Sequence, residues 1–279
     1  MMVKPYIAVM GVSNERDMKF VCDSFSRYGF SADGHYIPVA GVFVNDASMR
    51  GSVTHDMRHP LLSGIYDILL ESKPAGKNKG ARPMIQYTND RTSRDPRSTL
   101  SQDIQKIFLG NKLYGENLCN MLQINGIWPQ SGEIKSIKKQ FPKMDIVLQI
   151  SHTTAGENDI LGHIDSYSDS ISYVLLDPTT ERLARKYPGD IIKLYDSISK
   201  RFPHLGITFA GGVTPENLEH RLEKILGSGI APGKFGMSAD IGLRENVGDM
   251  FGEDVLRPEK VQYYLMTFSD MIKKNTAKK

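Results

Sequence analysis

Apolar runs of strand length recur eight times along the chain, separated by stretches with helical spacing, and this alternation limits the fold more than any other feature. The strand candidates are residues 6–10, 37–44, 84–88, 121–125, 145–151, 172–177, 206–210 and 234–238. Helical segments fall near 15–28, 61–71, 98–109, 132–140, 157–167, 189–201 and 215–226, and a last one at 258–274 would close a ring. Strands that alternate with helices imply parallel neighbours, because a parallel pair needs a long crossover to bring the chain back. Eight such units in 279 residues suit the α/β class and, within it, a (β/α)8 TIM barrel. An open doubly wound sheet is the rival. It places its glycine-rich turn after the first strand, whereas Gly211-Gly212 follows the seventh.

One domain over residues 1–279 is expected, with loop insertions near 72–83 and 89–97 and a flexible tail over 273–279. The first insertion is basic and rich in Pro and Gly, and reads as solvated loop. The second follows the third strand, which in a barrel puts it on the face that carries function. Hydrophobic residues at 40% and charged residues at 24% are ordinary for a globular chain. A net charge of +3 is too small to argue for nucleic acid. Two cysteines, Cys22 and Cys119, without metal spacing point to a reducing compartment. No apolar run reaches the ~18 residues that read as a membrane span. The expected protein is cytoplasmic, free of membrane and nucleic-acid partners, and a monomer or homodimer. No His/Cys/Asp cluster has ligand spacing, so neither a metal nor any other cofactor is called for.

The stretch Gly206-Ile-Thr-Phe-Ala-Gly-Gly-Val-Thr-Pro-Glu-Asn-Leu218 reads as a strand, a glycine turn and the start of a helix. Thr214 can cap that helix and Pro215 suits its first position. A helix start beside a turn without Cβ atoms lets backbone N–H groups approach an anion, typically a phosphate. Ser238 and Ala239 end the next strand, so they and Gly211 and Gly212 would form a shared phosphate cup.

Taken together, these strand ends resemble the phosphoribosylanthranilate isomerase family, which belongs to the ribulose-phosphate-binding barrels. Phe209 to Leu218 is similar to the family's "LAGGLTPENV" run. Val174-Leu-Leu-Asp177 looks like the strand that ends in its catalytic aspartate, and Gln123-Ile-Asn-Gly126 resembles "QLHG", with Asn125 where histidine is usual. The segment around Ser48-Met-Arg50 resembles an "S-x-R" loop, and Met237 to Gly242 stands where the family has "VSSGVE". The resemblance implies an Amadori-type aldose–ketose rearrangement of a small phosphorylated sugar in tryptophan biosynthesis, without cofactor. It casts Asp177 as acid, with Arg50 and Asn125 touching substrate.

The first strand departs from this pattern. The family reads "K-I-C-G-I-T", with the cysteine as general base, and here the matching position is Met10. A thioether has no proton to exchange. Cys22 and Cys119 are placed in the first helix and ahead of the fourth strand, as small buried hydrophobes. His152, after the fifth strand, is the best-placed replacement base because imidazole titrates near neutrality, although an ordinary loop histidine is the plainer reading. Asp240 and Asp46 are weaker candidates. Three readings stay open: an isomerase of that family, a diverged isomerase, epimerase or lyase for another phosphorylated sugar, and a non-catalytic phospholigand-binding protein.

Overall fold

The computed structural model describes residues 3–51, 57–73, 80–89, 99–126, 128–151, 159–177, 190–248 and 253–277. Eight parallel strands close on themselves in the order β1 to β8. They are β1 (Tyr6–Val9), β2 (Ile37–Val44), β3 (Arg82–Asn89), β4 (Met121–Gly126), β5 (Asp145–Ser151), β6 (Tyr173–Asp177), β7 (Gly206–Phe209) and β8 (Gly236–Ala239). Closure is visible at Ala8, which pairs with Val39 on one side and Ser238 on the other. The chain is a (β/α)8 barrel.

The connecting helices are α1 (Glu15–Arg27), α2 (Asp46–Arg50), α3 (Ile65–Leu70), α4 (Leu100–Phe108), α5 (Ser131–Gln140), α6 (Ile160–Asp165), α7 (Asp190–Arg201), α8 (Pro215–Gly227) and α9 (Pro258–Thr276). Their starts follow from side-chain caps. Asn14 accepts from the Asp17 N–H at α1, and Thr99 with Gln102 makes a reciprocal capping box at α4. Along each strand the side chains alternate between two separate cores. Ile7, Val9, Val42 and Val44 face outward into the layer shared with the helices. Tyr6, Ala8, Met10, Met84, Met121, Val147, Tyr173 and Leu175 fill the bore. The Tyr6 and Tyr173 rings meet edge to face at 5.2 Å.

The bore changes character along its axis. At the strand N-termini Arg82 forms an ion pair with Asp145 at 2.6 Å and donates to Asn120 Oδ1 at 2.7 Å. Above this lie the apolar residues of the inner core. At the strand C-termini the inward positions become carboxamides, carboxylates and a hydroxyl. In barrels of this kind functional sites are built at that end.

Some local expectations needed adjustment. The 61–71 segment divides into a tight turn at Leu62–Gly64 and α3. Strand β8 starts at Gly236 rather than at residue 234: Lys234 is still in a turn, its N–H bonded to Ala231 O at 3.1 Å, and the ladder with β7 begins where Gly236 meets Thr208. After β8 the chain adds a two-stranded antiparallel sheet, β9 (Arg244–Asn246) with β10 (Asp254–Leu256), that no periodicity announces in runs so short. The last helix runs through Thr276, into the segment read as a tail. Half of the first loop insertion, 74–79, and nearly all of the second, 90–97, fall outside the described residues. Among the described residues no helix is long and apolar enough to cross a membrane.

Candidate functional site

A cavity of about 670 Å³ opens at the strand C-termini, and its wall includes residues of β3 to β6 and β8 and those that directly follow β1 and β7. Gly211 and Gly212 have φ of 80° and 58°, backbone that a side chain disfavours. The carbonyls of the turn are held from the helix side. Arg221 of α8, only 4% exposed, donates to Gly211 O at 2.7 Å and to Gly212 O at 2.9 Å. Asn217 adds a bond to Gly212 O at 2.8 Å and completes the capping box with Thr214. With the oxygens fixed behind, the turn presents its other side to the cavity, which Gly211, Gly212, Val213 and Thr214 all line. The segment after β8 presses onto this turn. A Cβ added to Gly242 would lie 2.0 Å from Val213 O, so the two loops meet only because residue 242 is glycine. Ser238 and Ala239 also line the cavity, adjoining the turn as the sequence suggested. Turns from β7 and β8 that share one cavity give backbone donors a place to hold an anion.

Across the barrel the wall is made of amides and a carboxylate. Gln123 donates from Nε2 to Asn125 Oδ1 at 2.7 Å and to Gln86 Oε1 at 3.0 Å. Gln149 donates from Nε2 to Asp177 Oδ2 at 2.7 Å, which sets the carboxylate's orientation. Asp177 and Asn125 thus both lie in the cavity wall. The sequence reading did not single out Gln86, Gln123 or Gln149 as site residues. The available signal was a carboxamide at an inward position near the end of three successive strands, each inside an otherwise apolar run.

Met10 directly follows β1 in the bore, 2% exposed, and it too reaches the cavity wall. Its thioether lies over Gly41 of β2: a Cβ there would be 2.2 Å from Cε and 2.4 Å from Sδ. No proton donor or acceptor therefore stands at that strand end. One does stand beside it. A Cβ built on Gly11 would lie 2.9 Å from Asp240 Oδ1, so this carboxylate abuts the residue after Met10 while also lining the cavity. Arg244 fixes it. That guanidinium bonds Asp240 Oδ1 at 3.1 Å and Asp254 Oδ1 at 3.1 Å, and donates to Gly11 O. Burial pushes the Asp240 carboxyl above the usual range, and the nearby Arg244 and Arg58 oppose that rise without cancelling it. Arg244 and Asp254 belong to the β9–β10 sheet, which is why a strand-by-strand reading missed them.

The remaining candidates lie elsewhere. Arg50 ends α2 in an ion pair with Asp46 at 2.5 Å, with 57% of its side chain exposed, and neither residue is in the cavity wall described here. His152 lies outside the described residues. Cys22 and Cys119 are buried, and burial raises both thiols to about 11, far from a reactive thiolate at neutral pH. Among the described residues no group of three or more His, Cys, Asp and Glu could hold a metal.

Fold and site together define a (β/α)8 barrel with a cavity at the C-terminal mouth of its strands, where a few polar groups interrupt a largely apolar wall. Comparison with known proteins agrees at the level of fold. No protein-family model matches the chain, and no curated protein matches it in sequence. Solved barrels do match. They include tryptophan synthase from M. tuberculosis (TM-score 0.53, 9% identity, 96% of this chain and 94% of that one). KGPDC from Streptococcus mutans is similar at TM-score 0.53 and 12% identity, over 98% of this chain and all, 100%, of its own. A truncated 3-deoxy-D-arabino-heptulosonate 7-phosphate synthase from Thermotoga maritima matches at TM-score 0.52 and 10% identity, over 98% and 86%.

Proposed function

We propose that this barrel is an enzyme that moves protons on a small phosphorylated sugar, as an isomerase, epimerase or lyase does. The observation that carries the reading is one cavity that holds a glycine turn suited to a phosphate and three carboxylates, of which Asp254 is tied to Arg244 while Asp177 and Asp240 stand in different surroundings. Groups so placed can divide acid and base roles, one clamped by Arg244 and the other held by the Gln149 amide. Burial raises the proton affinity of Asp240, which suits it to take a proton. In an aldose–ketose exchange, Asp240 would take the proton from the carbon beside the carbonyl. Asp177 would give one to the oxygen, yielding an enediol; Asp240 would then return its proton to the neighbouring carbon while Asp177 takes back the proton of the other hydroxyl, which becomes the new carbonyl. Support from the fold is general: one of the similar barrels bears the name of a 7-phosphate synthase.

The finer reading, a phosphoribosylanthranilate isomerase, has Asp177 and the Gly211-Gly212 turn in its favour. Met10 at the base position and Arg50 in an ion pair outside the cavity wall argue for the broader one. Turnover of phosphoribosylanthranilate, followed by loss of its fluorescence, tests the finer reading in wild type and Met10→Cys. Turnover by wild type that Asp240→Asn abolishes would establish the finer reading with a new base. Silence in both proteins rejects it. The broader reading is tested by calorimetry with inorganic phosphate and phosphate esters, and absence of binding by every one of them would sink it.

A further inference from the structure

Three amides at the strand ends form one hydrogen-bonded unit, and its bonding fixes which way each of them faces. The Gln123 nitrogen, which carries two N–H groups, donates to Gln86 Oε1 at 3.0 Å and to Asn125 Oδ1 at 2.7 Å. Turning all three amides over would keep both bonds. It would also bury the Gln123 nitrogen with two unmet N–H groups, because the other end of that amide is buried and has no partner among the described residues. As placed, the buried orphan is a single carbonyl oxygen, which is the smaller cost. The oxygens of Gln86 and Asn125 are therefore turned to Gln123, and their nitrogens face away from it.

Those nitrogens open on the cavity. Gln86 and Asn125 both line it, both are half-buried, and neither nitrogen bonds another described residue. Gln86 pairs in register with Gln123, and Asn125 follows two residues along β4 on the same face. Neighbouring strands thus present N–H groups from two amides anchored on one nitrogen. In the closed ring of eight, β3 and β4 stand opposite β7 and β8. A ligand whose phosphate rests on the turns after β7 and β8 brings its other end to this pair. The described cavity wall holds no lysine, arginine or histidine, so amide N–H groups are the donors on offer there. An alcohol brings a proton that the pair cannot accept, because Gln123 already occupies both amide oxygens. A carbonyl or carboxylate oxygen brings only lone pairs, which is what the pair can answer.

We infer that Gln86 and Asn125 form a donor pair that holds an sp2 oxygen, carbonyl or carboxylate, at the unphosphorylated end of the ligand. This rests on the phosphosugar reading above and adds the group that the far side of the barrel recognises. Where that oxygen is the reacting carbonyl, it gains charge as Asp240 takes the neighbouring proton, and donors fixed in advance stabilise that charge.

Titration calorimetry on the full chain tests this with arabinitol 5-phosphate, 5-phosphoarabinonate and 5-phosphoarabinonohydroxamate, with inorganic phosphate as reference. The esters share one carbon chain and differ at its end, which is an alcohol, a carboxylate or a neutral hydroxamate carbonyl. At least one acceptor-ended ester should bind tenfold or more tightly than the alcohol, a gap of about 1.4 kcal/mol. Which of the two does so tells carboxylate from carbonyl. Gln86→Glu and Asn125→Asp keep an oxygen for the Gln123 amide and change only the atom that faces the cavity. Each should bring the acceptor-ended and alcohol-ended affinities together. The uncharged Gln86→Met should do the same, which excludes repulsion by a new carboxylate as the cause. The wild-type comparison stands even where a variant folds poorly. An alcohol ester that binds as tightly as both others overturns the inference and leaves the phosphosugar reading standing. So does a preference that survives in all three variants, since other groups would then hold the oxygen. If neither the esters nor inorganic phosphate bind, the phosphosugar reading itself is lost, and the inference falls with it.

Discussion

Replacing Gly41 by alanine tests the claim that Met10 fills the end of β1. The new Cβ would stand 2.2 Å from Met10 Cε and 2.4 Å from Sδ, yet 3.6 Å from Met10 Cα. Only the far end of a flexible side chain must move, and the cavity beside it offers room. The cost should therefore sit at the low end of the ~1–3 kcal/mol typical of overpacking, near an off-rotamer penalty of about 1 kcal/mol. Met10→Ala alone should cost about 2 kcal/mol, the bottom of the range for a buried truncation, because one side of the residue already borders open space. The double variant removes the clash and lets the new methyl occupy part of the vacated volume. It should be more stable than the sum of the single changes predicts by about 1–2 kcal/mol. Urea unfolding with fitted midpoints and slopes measures this, and slopes that stay constant show that the unfolded state is unaffected. Effects that add within about 0.5 kcal/mol would show that Met10 does not lie over Gly41, and the account of the missing base would go with it.

Three other expectations are independent of that pair. Arg221→Met removes two charge-assisted bonds to the glycine turn and should cost about 2–4 kcal/mol, lowering Tm by roughly 4–8 °C and weakening inorganic phosphate binding; an unchanged Tm refutes the role given to Arg221. Asp240 has a folded-state pKa above its unfolded one, so the folded chain binds the proton more tightly between the two values and stability falls as pH rises through that window. Asp240→Asn should flatten this part of the stability–pH curve and abolish turnover, and a curve that still matches wild type would refute the burial argument. Arg50→Ala should leave the affinity for phosphate esters unchanged by calorimetry, whereas a tenfold loss would place Arg50 at the ligand after all.

The barrel was legible because its cause is repetitive. Each strand carries the same inward–outward alternation, and each of the best helix starts carries its own cap, as Thr214-Pro215 does. The glycine turn was legible for the same reason: conformation there depends on residues next to one another. Arg244 was not. Its partners Gly11, Asp240 and Asp254 come from the first strand end, the eighth loop and the sheet beyond it, and no local pattern announces a guanidinium that ties three distant segments.

The carboxamides show a subtler limit. Gln86 pairs in register with Gln123, but Gln123 pairs with Val147, and Gln149 lies two residues further along β5. Asp177 pairs with Ser151, not with the Gln149 that bonds it. Tilted strands in a closed barrel are staggered, so residues at one height around the mouth do not share a position within their strands. A sequence shows three isolated polar interruptions of apolar runs. Only the shear of the barrel brings them level with one another and with Asp177. The next such chain can be read better by sliding each strand two residues against its neighbour at the expected stagger and asking which inward polar positions then align.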